Sequence, residues 1–288
     1  MSRQQANSTS STRPGAVLTE RTPRVAAARQ LTRRQGRDRA DRFLAEGAQA
    51  VREALAWAAA GRGQVHELFV TEVAAGRNQD LLHAAGAARI RISEITDRAA
   101  EGLSETVTPQ GVIAVCDQVE VSLADALAGS PKLVAVLVGI ADPGNAGTVV
   151  RVADAAGADA VIFAGDTVDV HNGKCVRAST GSVFHLPIAR SRDTTTVLQA
   201  CAEAGLRLVA ADGNTDADLD AADDRGELAT PTAWLFGSEA HGVPAEVLAA
   251  ADSVLKVPIH GAAESLNLAT AAAVCLYASA RAQRRAAR

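Results

Sequence analysis

Three short segments of the sequence place amide, carboxylate, hydroxyl and guanidinium side chains at spacings that could bind a ligand and assist a transfer of charge. The first, DPGNAGTVVR, contains Asn145 and ends at Arg151. The second, GSEAHG, carries Glu239, and the third, ESLN, carries Ser265 and Asn267. Amides and hydroxyls can orient a substrate, and arginine can stabilise a developing negative charge. These five residues are therefore candidates for ligand binding and charge stabilisation.

Each segment also has an ordinary structural interpretation. The first is typical of a strand-to-helix turn that Asn145 caps, with Arg151 on the surface. Glu239 suits the positive end of a helix dipole, and Ser265 could cap the helix that follows it. The glycine fingerprint GxGxxG and the nucleophile elbow GxSxG do not occur in the sequence. Their absence disfavours a nicotinamide-dependent oxidoreductase and a serine hydrolase.

Apolar runs that precede these segments must position them. Continuous runs of Val, Leu, Ile and Ala alternate with helical patterns, which is typical of a parallel sheet covered on both faces. Ligands of such sheets bind in the loops at the carboxyl ends of the strands, so we expect the three segments to converge. The predicted α/β domain covers residues 133–288, with strands at 133–138, 160–164, 206–211, 233–237 and 254–259 and helices at 148–156, 194–204, 244–251 and 266–283.

The N-terminal part of the chain predicts a second, smaller α/β domain over residues 23–116. A helical period recurs at Leu44, Ala48, Val51, Leu55 and Ala58. Strands are expected at 65–71, 89–92 and 111–116, and further helices at 80–88 and 95–103. Residues 117–132, which include Gly129, Ser130 and Pro131, predict a linker. Residues 1–22 are rich in Ser, Thr, Gln and Arg and predict a disordered basic arm.

Charge is distributed unevenly along the 288 residues, whose formal net charge is −4. Residues 1–42 contain ten arginines and three acidic residues, so they carry +7 and the remainder carries −11. A basic segment on an acidic body indicates a polyanionic partner, and guanidinium groups suit bidentate contact with phosphate. A solvated tail without a partner is the alternative. The candidates for RNA contact are Arg24, Arg33, Arg34, Arg37 and Arg39.

Cysteine and histidine usage does not favour a metal site. The four cysteines lie far apart without a CxxC pair, and the six histidines form no HxxxH pair, so we expect buried, reduced thiols. No apolar run reaches the ~18–20 residues that span a bilayer. The N-terminus also lacks the apolar core of a signal peptide. The expected location is therefore the cytoplasm.

The three segments, in this order and spacing, resemble the three motifs of the SpoU/TrmH family of SPOUT methyltransferases, which methylate ribose 2′-hydroxyls of RNA. VRASTG at 176–181 and FHLP at 184–187 also resemble this family. FLAEG at 43–47 and TPQG at 108–111 are similar to the L30e-like substrate-binding domain of its rRNA-directed members. The actinomycete-like composition, rich in Ala and Arg, also resembles that of antibiotic-resistance rRNA methyltransferases.

The resemblance implies a parallel-sheet SPOUT catalytic domain with a C-terminal trefoil knot and an L30e-like N-terminal domain. It implies a homodimer that packs through the first and last helices of the catalytic domain, and no metal. Small and apolar residues of the last helix, such as Ala269, Val274 and Tyr277, suit either a dimer interface or an internal core helix. The implied cofactor is S-adenosylmethionine, bound by Leu235, Phe236, Gly237, Val257, Pro258, Ile259, Leu266, Asn267 and Leu268.

The implied reaction is methylation of a ribose 2′-oxygen in a loop of 23S rRNA, with resistance to a ribosome-targeting antibiotic as a further expectation. Arg151 matches the family's proposed general base, but guanidinium groups keep their proton in proteins, so its part in proton transfer stays open. Asn145 would orient the ribose or the arginine, and Glu239 would fix the loop or accept a proton. Ser265 and Asn267 would position substrate and cofactor. A tRNA-directed member of the family and a non-catalytic RNA-binding protein remain the alternatives.

Overall fold

Residues 16–288 are the part of the chain that the computed structural model describes, and they form two sheets with their helices. The N-terminal domain contains β1 (Arg42–Glu46), β2 (Val65–Val70), β3 (Arg91–Glu94), β4 (Val112–Asp117), α1 (Pro23–Gln30), α2 (Arg34–Ala40), α3 (Ala48–Ala59), α4 (Glu72–Arg77), α5 (Gln79–Ala87) and α6 (Asp97–Leu103). Its strands lie in the order β1-β4-β2-β3. β4 pairs antiparallel with β1 and β2, whereas β2 and β3 are parallel.

The C-terminal domain is built on seven strands in the order β11-β9-β10-β6-β7-β8-β5, and every neighbouring pair is parallel. The strands are β5 (Glu120–Val121), β6 (Leu133–Val138), β7 (Ala160–Ala164), β8 (Ile188–Ser191), β9 (Arg207–Ala211), β10 (Thr232–Phe236) and β11 (Ser253–Leu255). The helices are α7 (Leu123–Ala126), α8 (Pro143–Ala156), α9 (Gly173–Ser179), α10 (Thr194–Glu203), α11 (Leu219–Asp224), α12 (Ala245–Ala250) and α13 (Leu268–Ala286).

The parallel sheet is buried on both faces, as strand β6 illustrates. Leu133, Ala135 and Leu137 belong to one apolar core together with residues of α8 and α13. Val134 and Val136 belong to a second core together with residues of α10 and α12. Successive side chains of a strand point to opposite faces, so a strand in this position requires an uninterrupted apolar run. The α/β fold class predicted from the sequence is confirmed.

Some predicted element ends differ from the structure for local reasons. Helix α8 begins at Pro143, five residues before its predicted start, because the Asp142 side chain caps it. Strand β11 ends at Leu255 instead of residue 259. In the N-terminal domain, Leu44 lies in β1 and not in a helix, and α3 begins only after Gly47, whose φ is +100°. A single apolar residue fits either the helical or the strand period, so Leu44 could not define the boundary.

Two predicted domain boundaries are wrong. Leu18 is 2% exposed and forms a β-bridge with Ile95, so residues 16–22, expected in the disordered arm, pack on the N-terminal domain. Residues 1–15 of the predicted arm lie outside the described residues. Residues 117–132, expected to be a linker, contain β5 and α7, and β5 pairs with β8 of the parallel sheet. This segment is therefore part of the C-terminal domain.

The two domains share an apolar interface. Phe43 of β1 and Trp57 of α3 contact Phe184 of the C-terminal domain, with ring centroids 5.8 and 5.6 Å from that of Phe184. All three side chains are buried in a single core that continues from one domain into the other. A continuous core of this kind holds the domains in a fixed relative position.

A buried ion pair crosses the same interface. Arg37 of α2 is 3% exposed, and its Nη2 and Nε lie 2.6 and 2.9 Å from Oδ2 of Asp169. Burial alone would raise the pKa of Asp169, but the hydrogen bond from His171 and the charge of Arg37 hold it well below its usual range. Arg37 also donates to the backbone carbonyls of Leu31 and Thr32. The prediction that Arg37 contacts RNA is therefore wrong.

The cysteine prediction is confirmed, because all four cysteines are free and buried. Burial raises the pKa of each thiol, and the pKa values of Cys201 and Cys275 rise to about 12. These thiols remain protonated at neutral pH and are unreactive. Within residues 16–288, no helix combines the length and the hydropathy that a membrane-spanning helix needs.

Candidate active site

Side chains from all three predicted segments meet at the carboxyl edge of the parallel sheet. Asn145 lies in the first turn of α8, Glu239 follows β10, and Asn267 immediately precedes α13. Nδ2 of Asn145 donates a hydrogen bond to Oε1 of Glu239. Nδ2 of Asn267 lies 3.1 Å from Oδ1 of Asn145 and 3.4 Å from Oε1 of Glu239. We call these three residues the Asn–Glu–Asn cluster.

Asp142, and not Asn145, caps helix α8, which leaves the Asn145 side chain available for the cluster. Oδ1 of Asp142 accepts hydrogen bonds from the N–H groups of Gly144 and Asn145. The Lys174 ammonium lies 2.9 Å from Oδ2 of Asp142. Lys174 and these N–H groups hold the pKa of Asp142 below its ordinary value. The ionised carboxylate therefore fixes the first turn of α8, from which Asn145 extends.

Two glycines shape the second segment. A side chain at Gly237 would place its Cβ 2.1 Å from the carbonyl of Gly242, so only glycine fits there. Gly242 has a φ of +66°, and its N–H donates to the carbonyl of Ser238 at 2.8 Å. The segment is thus a tight loop that carries Glu239 to the cluster. Glu239 does not begin a helix, since α12 starts only at Ala245.

Asn267, and not Ser265, caps the last helix. Its Oδ1 accepts hydrogen bonds from the N–H groups of Ala269 and Thr270 at 3.0 and 3.4 Å, while its Nδ2 donates into the cluster. One side chain therefore fixes the start of α13 and contacts the other two segments. Ser265 is exposed and lies beside the same cleft, but its hydroxyl makes no hydrogen bond with the cluster residues.

An open cleft of about 970 Å³ adjoins the cluster and lies among the loops that follow β9, β10 and β11. Leu235 does not line it, because its side chain is fully buried in the core on the other face of the sheet. Pro258 is also outside the lining. The other predicted cofactor residues do line the cleft: Phe236, Gly237, Val257, Ile259, Leu266, Asn267 and Leu268.

Four further residues of this lining were not among the predicted cofactor residues. Asp212, Gly213 and Asn214 follow β9, and Lys256 follows β11. A signal for the first three was present, because DGN ends an apolar strand whose carboxyl edge is shared with the other loops. Strand β9 lies next to β10 in the sheet. No local sequence pattern specifies this strand order.

The composition of the cleft fits S-adenosylmethionine. Its apolar side chains, such as Val257, suit an adenine ring that needs nonpolar contact with few hydrogen bonds. Asp212, Glu239 and Glu264 add three carboxylates to the lining, against one lysine, Lys256. The cofactor carries a sulfonium and an ammonium charge as well as one carboxylate, so a net acidic cleft is complementary to it. These residues would hold the cofactor next to the cluster.

Arg151 does not join the cluster within one chain. It lies six residues after Asn145 on α8, which is about 9 Å further along the axis and about 120° around it. Its side chain is exposed, and among residues 16–288 it makes no hydrogen bond and no ion pair. The five predicted catalytic residues thus divide into three that are hydrogen-bonded together, Ser265 at the cleft, and Arg151 apart from them.

The other arginines predicted to contact RNA differ in their availability. The Arg24 guanidinium is half-buried and pairs with Glu67 inside the N-terminal domain. Arg33, Arg34 and Arg39 are exposed on helix α2 and at its start. We call these three residues the α2 arginine surface. Their side chains extend into solvent and are available to a phosphate backbone.

One group of three side chains in the described part of the chain is close enough to share a metal ion. The ligand atoms of Glu120, Asp169 and His171 lie within 4.8 Å of one another. Asp169 is already paired with Arg37, and Nε2 of His171 accepts a hydrogen bond from the Val119 N–H at 3.0 Å. Two of the three groups are therefore occupied by the protein itself, and the trio is explained as part of the domain interface.

Comparison with protein-family models assigns both domains. Residues 132–277 match the model of the SpoU rRNA Methylase family. Residues 22–114 match the MRM3-like substrate binding domain. The first match contains all three segments of the candidate site, and the second contains the α2 arginine surface.

Individual proteins are similar over nearly the whole chain. The chain is 34% identical over 249 residues to the 23S rRNA (guanosine(2553)-2′-O)-methyltransferase RlmP of Bacillus subtilis, which covers 86% of this chain and 92% of that protein. A crystal structure of an RNA 2′-O ribose methyltransferase has 33% identity and a TM-score of 0.77, covering 94% of this chain and all of that one. The SpoU methyltransferase AviRb from Streptomyces viridochromogenes, solved with AdoMet, has 28% identity and a TM-score of 0.76 over 93% of this chain and all of that one. The chain therefore belongs to the SpoU rRNA methylase family.

Proposed function

We propose that this chain transfers the methyl group of S-adenosylmethionine to the 2′-oxygen of a ribose in 23S rRNA. The observation that carries the proposal is the Asn–Glu–Asn cluster beside an acidic and apolar cleft, in a chain of the SpoU family. RlmP, whose name states this reaction on a guanosine, aligns with most of the chain. The substrate-binding domain at the N-terminus supports an RNA substrate.

The reaction depends more on alignment of the ribose oxygen with the methyl group than on activation of the methyl group by the protein. When bound, S-adenosylmethionine supplies a methyl group that is already activated by a sulfonium, so the chemistry needs no metal. The protein must hold the ribose oxygen in line with that methyl group, and such positioning can contribute up to ~7–11 kcal/mol to the rate. A cluster whose three side chains fix one another by hydrogen bonds is suited to this task.

Each cluster residue has a distinct proposed role. Asn145 orients the ribose through its amide group, and Asn267 links the cofactor side of the cleft to that amide. Glu239 accepts hydrogen bonds from both asparagines and is the nearest candidate to accept the hydroxyl proton. Arg151 stabilises the negative charge that develops on the ribose oxygen, for which a permanently charged guanidinium is suitable. Ser265 contacts the substrate at the edge of the cleft.

We further propose a homodimer that packs through α8 and α13. One face of α13 is internal, since Cys275 and Leu276 are buried in the core. The opposite face leaves Val274 and Tyr277 39% and 49% exposed, which supports a subunit interface there. Arg151 also lies on an exposed face of α8, so this dimer would direct it to the partner subunit. The site would then be complete only in the dimer.

Asn267→Asp should separate helix capping from catalysis. An aspartate oxygen still caps α13, but the variant lacks the Nδ2 donor and brings a second carboxylate toward Glu239. We expect methyl transfer to fall at least about tenfold, with an unfolding midpoint within a few degrees of the wild type. The matched variant Asn267→Ala should lose both functions. Thermal unfolding and a methylation assay measure the two effects, and an active Asn267→Asp enzyme would contradict the proposed role.

Removal of the α2 arginine surface should weaken RNA binding and leave cofactor binding unchanged. Each lost phosphate contact should reduce the slope of log affinity against log salt by about 0.7, so replacement of Arg33, Arg34 and Arg39 by alanine should reduce it by about 2. Arg225→Ala removes an exposed arginine of the C-terminal domain that pairs with Glu227, and it serves as the control. Filter binding at several salt concentrations measures the slope. An unchanged slope would place RNA contact elsewhere.

Two assays test the proposed function against its alternatives. Calorimetry should detect binding of S-adenosylmethionine and none of NADH. Methyl-tritiated cofactor should label 23S rRNA in preference to tRNA, and preferential labelling of tRNA would favour the tRNA-directed alternative.

An rRNA substrate supports a cytoplasmic location. The trefoil knot and the antibiotic resistance remain predictions from the resemblance. The identity to AviRb is 28%, so this chain is a relative of AviRb and a different protein.

A further inference from the structure

His185 lies between two carboxylates that belong to different domains. Its Nδ1 is 2.7 Å from Oδ2 of Asp154 on α8, and its Nε2 is 3.0 Å from Oε2 of Glu53 on α3. Both ring nitrogens can donate hydrogen bonds at the same time only when the imidazole is protonated. The FHLP segment that contains His185 has no part in the site described above. This contact therefore requires its own explanation.

The surroundings of His185 favour the imidazolium. Partial burial alone would lower the pKa of the imidazole, but the hydrogen bonds to Asp154 and Glu53 outweigh it and raise that pKa above its usual value. The third charged group here, Arg62, donates to the backbone carbonyl of His185 at 3.3 Å and not to the ring. Asp154 lies in the last turn of α8, where the helix dipole favours a nearby positive charge. The charged form persists to higher pH than in a free histidine and is lost as pH rises through the raised pKa.

Asp154 is also a neighbour of Arg151. The two residues are three positions apart on α8, so their Cβ atoms lie about 5–6 Å apart on one side of the helix. Within the described residues, Asp154 pairs with His185 and Arg151 pairs with no carboxylate. A single carboxylate thus has two basic groups within reach, and it is engaged by only one of them.

We propose that His185 is a positioning residue that, as an imidazolium, keeps Asp154 from pairing with Arg151 and fastens α8 to the N-terminal domain through Glu53. Deprotonation of His185 removes its positive charge and leaves one N–H for two carboxylates, which weakens its hold on Asp154. Asp154 then pairs with Arg151 and withdraws it from the substrate. This inference rests on the role of Arg151 in the proposed function. The other ion pairs across the interface in the described residues are Arg37–Asp169, Arg177–Glu46 and Arg177–Glu105. All of them contain guanidinium groups, which do not lose their proton near neutral pH.

Nuclear magnetic resonance tests the contact without RNA. The imidazole of His185, assigned by comparison with His185→Gln, should titrate above the usual histidine value in the wild type and at lower pH in Glu53→Gln and Asp154→Asn. The Nε signal of Arg151 should shift in His185→Gln and return to its wild-type position in His185→Gln/Asp154→Asn. The proposal would be overturned if the His185 imidazole titrated at the usual histidine value, or if the Arg151 Nε signal stayed unchanged in both variants.

Methylation kinetics provide the second test. His185→Gln should reduce kcat about two- to fivefold, the range that a partly exposed ion pair produces, and adding Asp154→Asn should restore it. A merely structural role predicts that the double variant is worse than the single one. His185→Arg bears a permanent charge, so the ratio of the wild-type rate to the His185→Arg rate should fall as pH rises. Titrations that the two enzymes share do not affect this ratio. A constant ratio would contradict the proposal.

The two tests separate this inference from the proposed function. Absence of rRNA methylation by the wild type would refute the function, while the resonance experiment would still decide whether His185 controls Arg151. Circular dichroism and S-adenosylmethionine binding confirm that each variant is folded. If His185→Gln does not fold, His185→Arg provides the assignment, and the titrations of Glu53→Gln and Asp154→Asn still test the contact.

Discussion

Replacement of Arg151 by alanine should lower kcat/KM for rRNA at least about 100-fold, the effect of losing one group that stabilises a developing oxyanion. The dissociation constant for S-adenosylmethionine should stay within about twofold, because Arg151 does not line the cleft. Arg151→Lys retains the charge but cannot form the bidentate hydrogen bonds of a guanidinium group, so we expect it to recover only part of the rate. Single-turnover methylation and calorimetry measure the two quantities. A wild-type rate in Arg151→Ala would remove Arg151 from the mechanism.

Mixed dimers test which subunit Arg151 serves. Arg151→Ala and Glu239→Ala should each be inactive alone. If Arg151 acts across a twofold interface, each mixed dimer has one intact site, and equal mixing restores about a quarter of the wild-type activity. If Arg151 acts within its own chain, every site retains one defect and mixing restores nothing. The second result would contradict the dimer proposed through α8 and α13.

Replacement of Arg37 by methionine should destabilise the protein by about 3–5 kcal/mol, because the Asp169 carboxylate would remain buried without its partner. Arg34→Met on the same helix is the matched control. Arg34 is exposed and lies 3.8 Å from Asp38, so its loss should change stability by less than about 0.5 kcal/mol. Urea unfolding followed by circular dichroism measures both. Equal stability of the two variants would mean that the interdomain pair contributes nothing.

The same ion pair predicts a pH dependence of stability. The pKa of Asp169 is lower in the folded protein than its ordinary value, so its contribution is complete above that ordinary value, about 4. The contribution declines as pH falls toward the folded-state pKa. Without Arg37, the pKa of the buried Asp169 carboxyl should be higher than in the wild type, so the variant is relieved by protonation at a higher pH. The stability difference between wild type and Arg37→Met should therefore be largest near neutral pH and shrink as pH falls. A difference that grows on acidification would refute this origin.

Local sequence patterns were sufficient for the fold class and for the meeting of three of the five candidate residues at one edge of the sheet. The apolar run of β6 identified a doubly covered strand at its exact ends. The segments around Asn145, Glu239 and Asn267 follow the rule that ligands bind at the carboxyl ends of parallel strands, and they do meet there. The glycines of GSEAHG also have a physical cause, namely the close backbone contact between Gly237 and Gly242.

The features that the sequence did not reveal depend on contacts between distant parts of the chain. Arg37 resembles the exposed arginines around it in sequence, and only the packing of α2 against Asp169 distinguishes it. Asp212 enters the cleft because β9 lies beside β10, which is a matter of strand order. The segment 117–132 has the composition of a linker, yet β5 completes the edge of the parallel sheet. Charge and composition are local properties of the sequence, so they do not predict which distant residues will be in contact in the folded chain.

Mass-spectrometric mapping of 23S rRNA after incubation with the protein and deuterium-methyl-labelled S-adenosylmethionine is the most direct test of the proposed methyl transfer. We expect one dominant labelled nucleotide, with the label on the ribose 2′-oxygen, and strongly reduced labelling when Arg151→Ala replaces the wild type. Label on a base, or a fully folded, cofactor-binding protein that transfers no methyl group to 23S rRNA or to assembled large subunits, would contradict it.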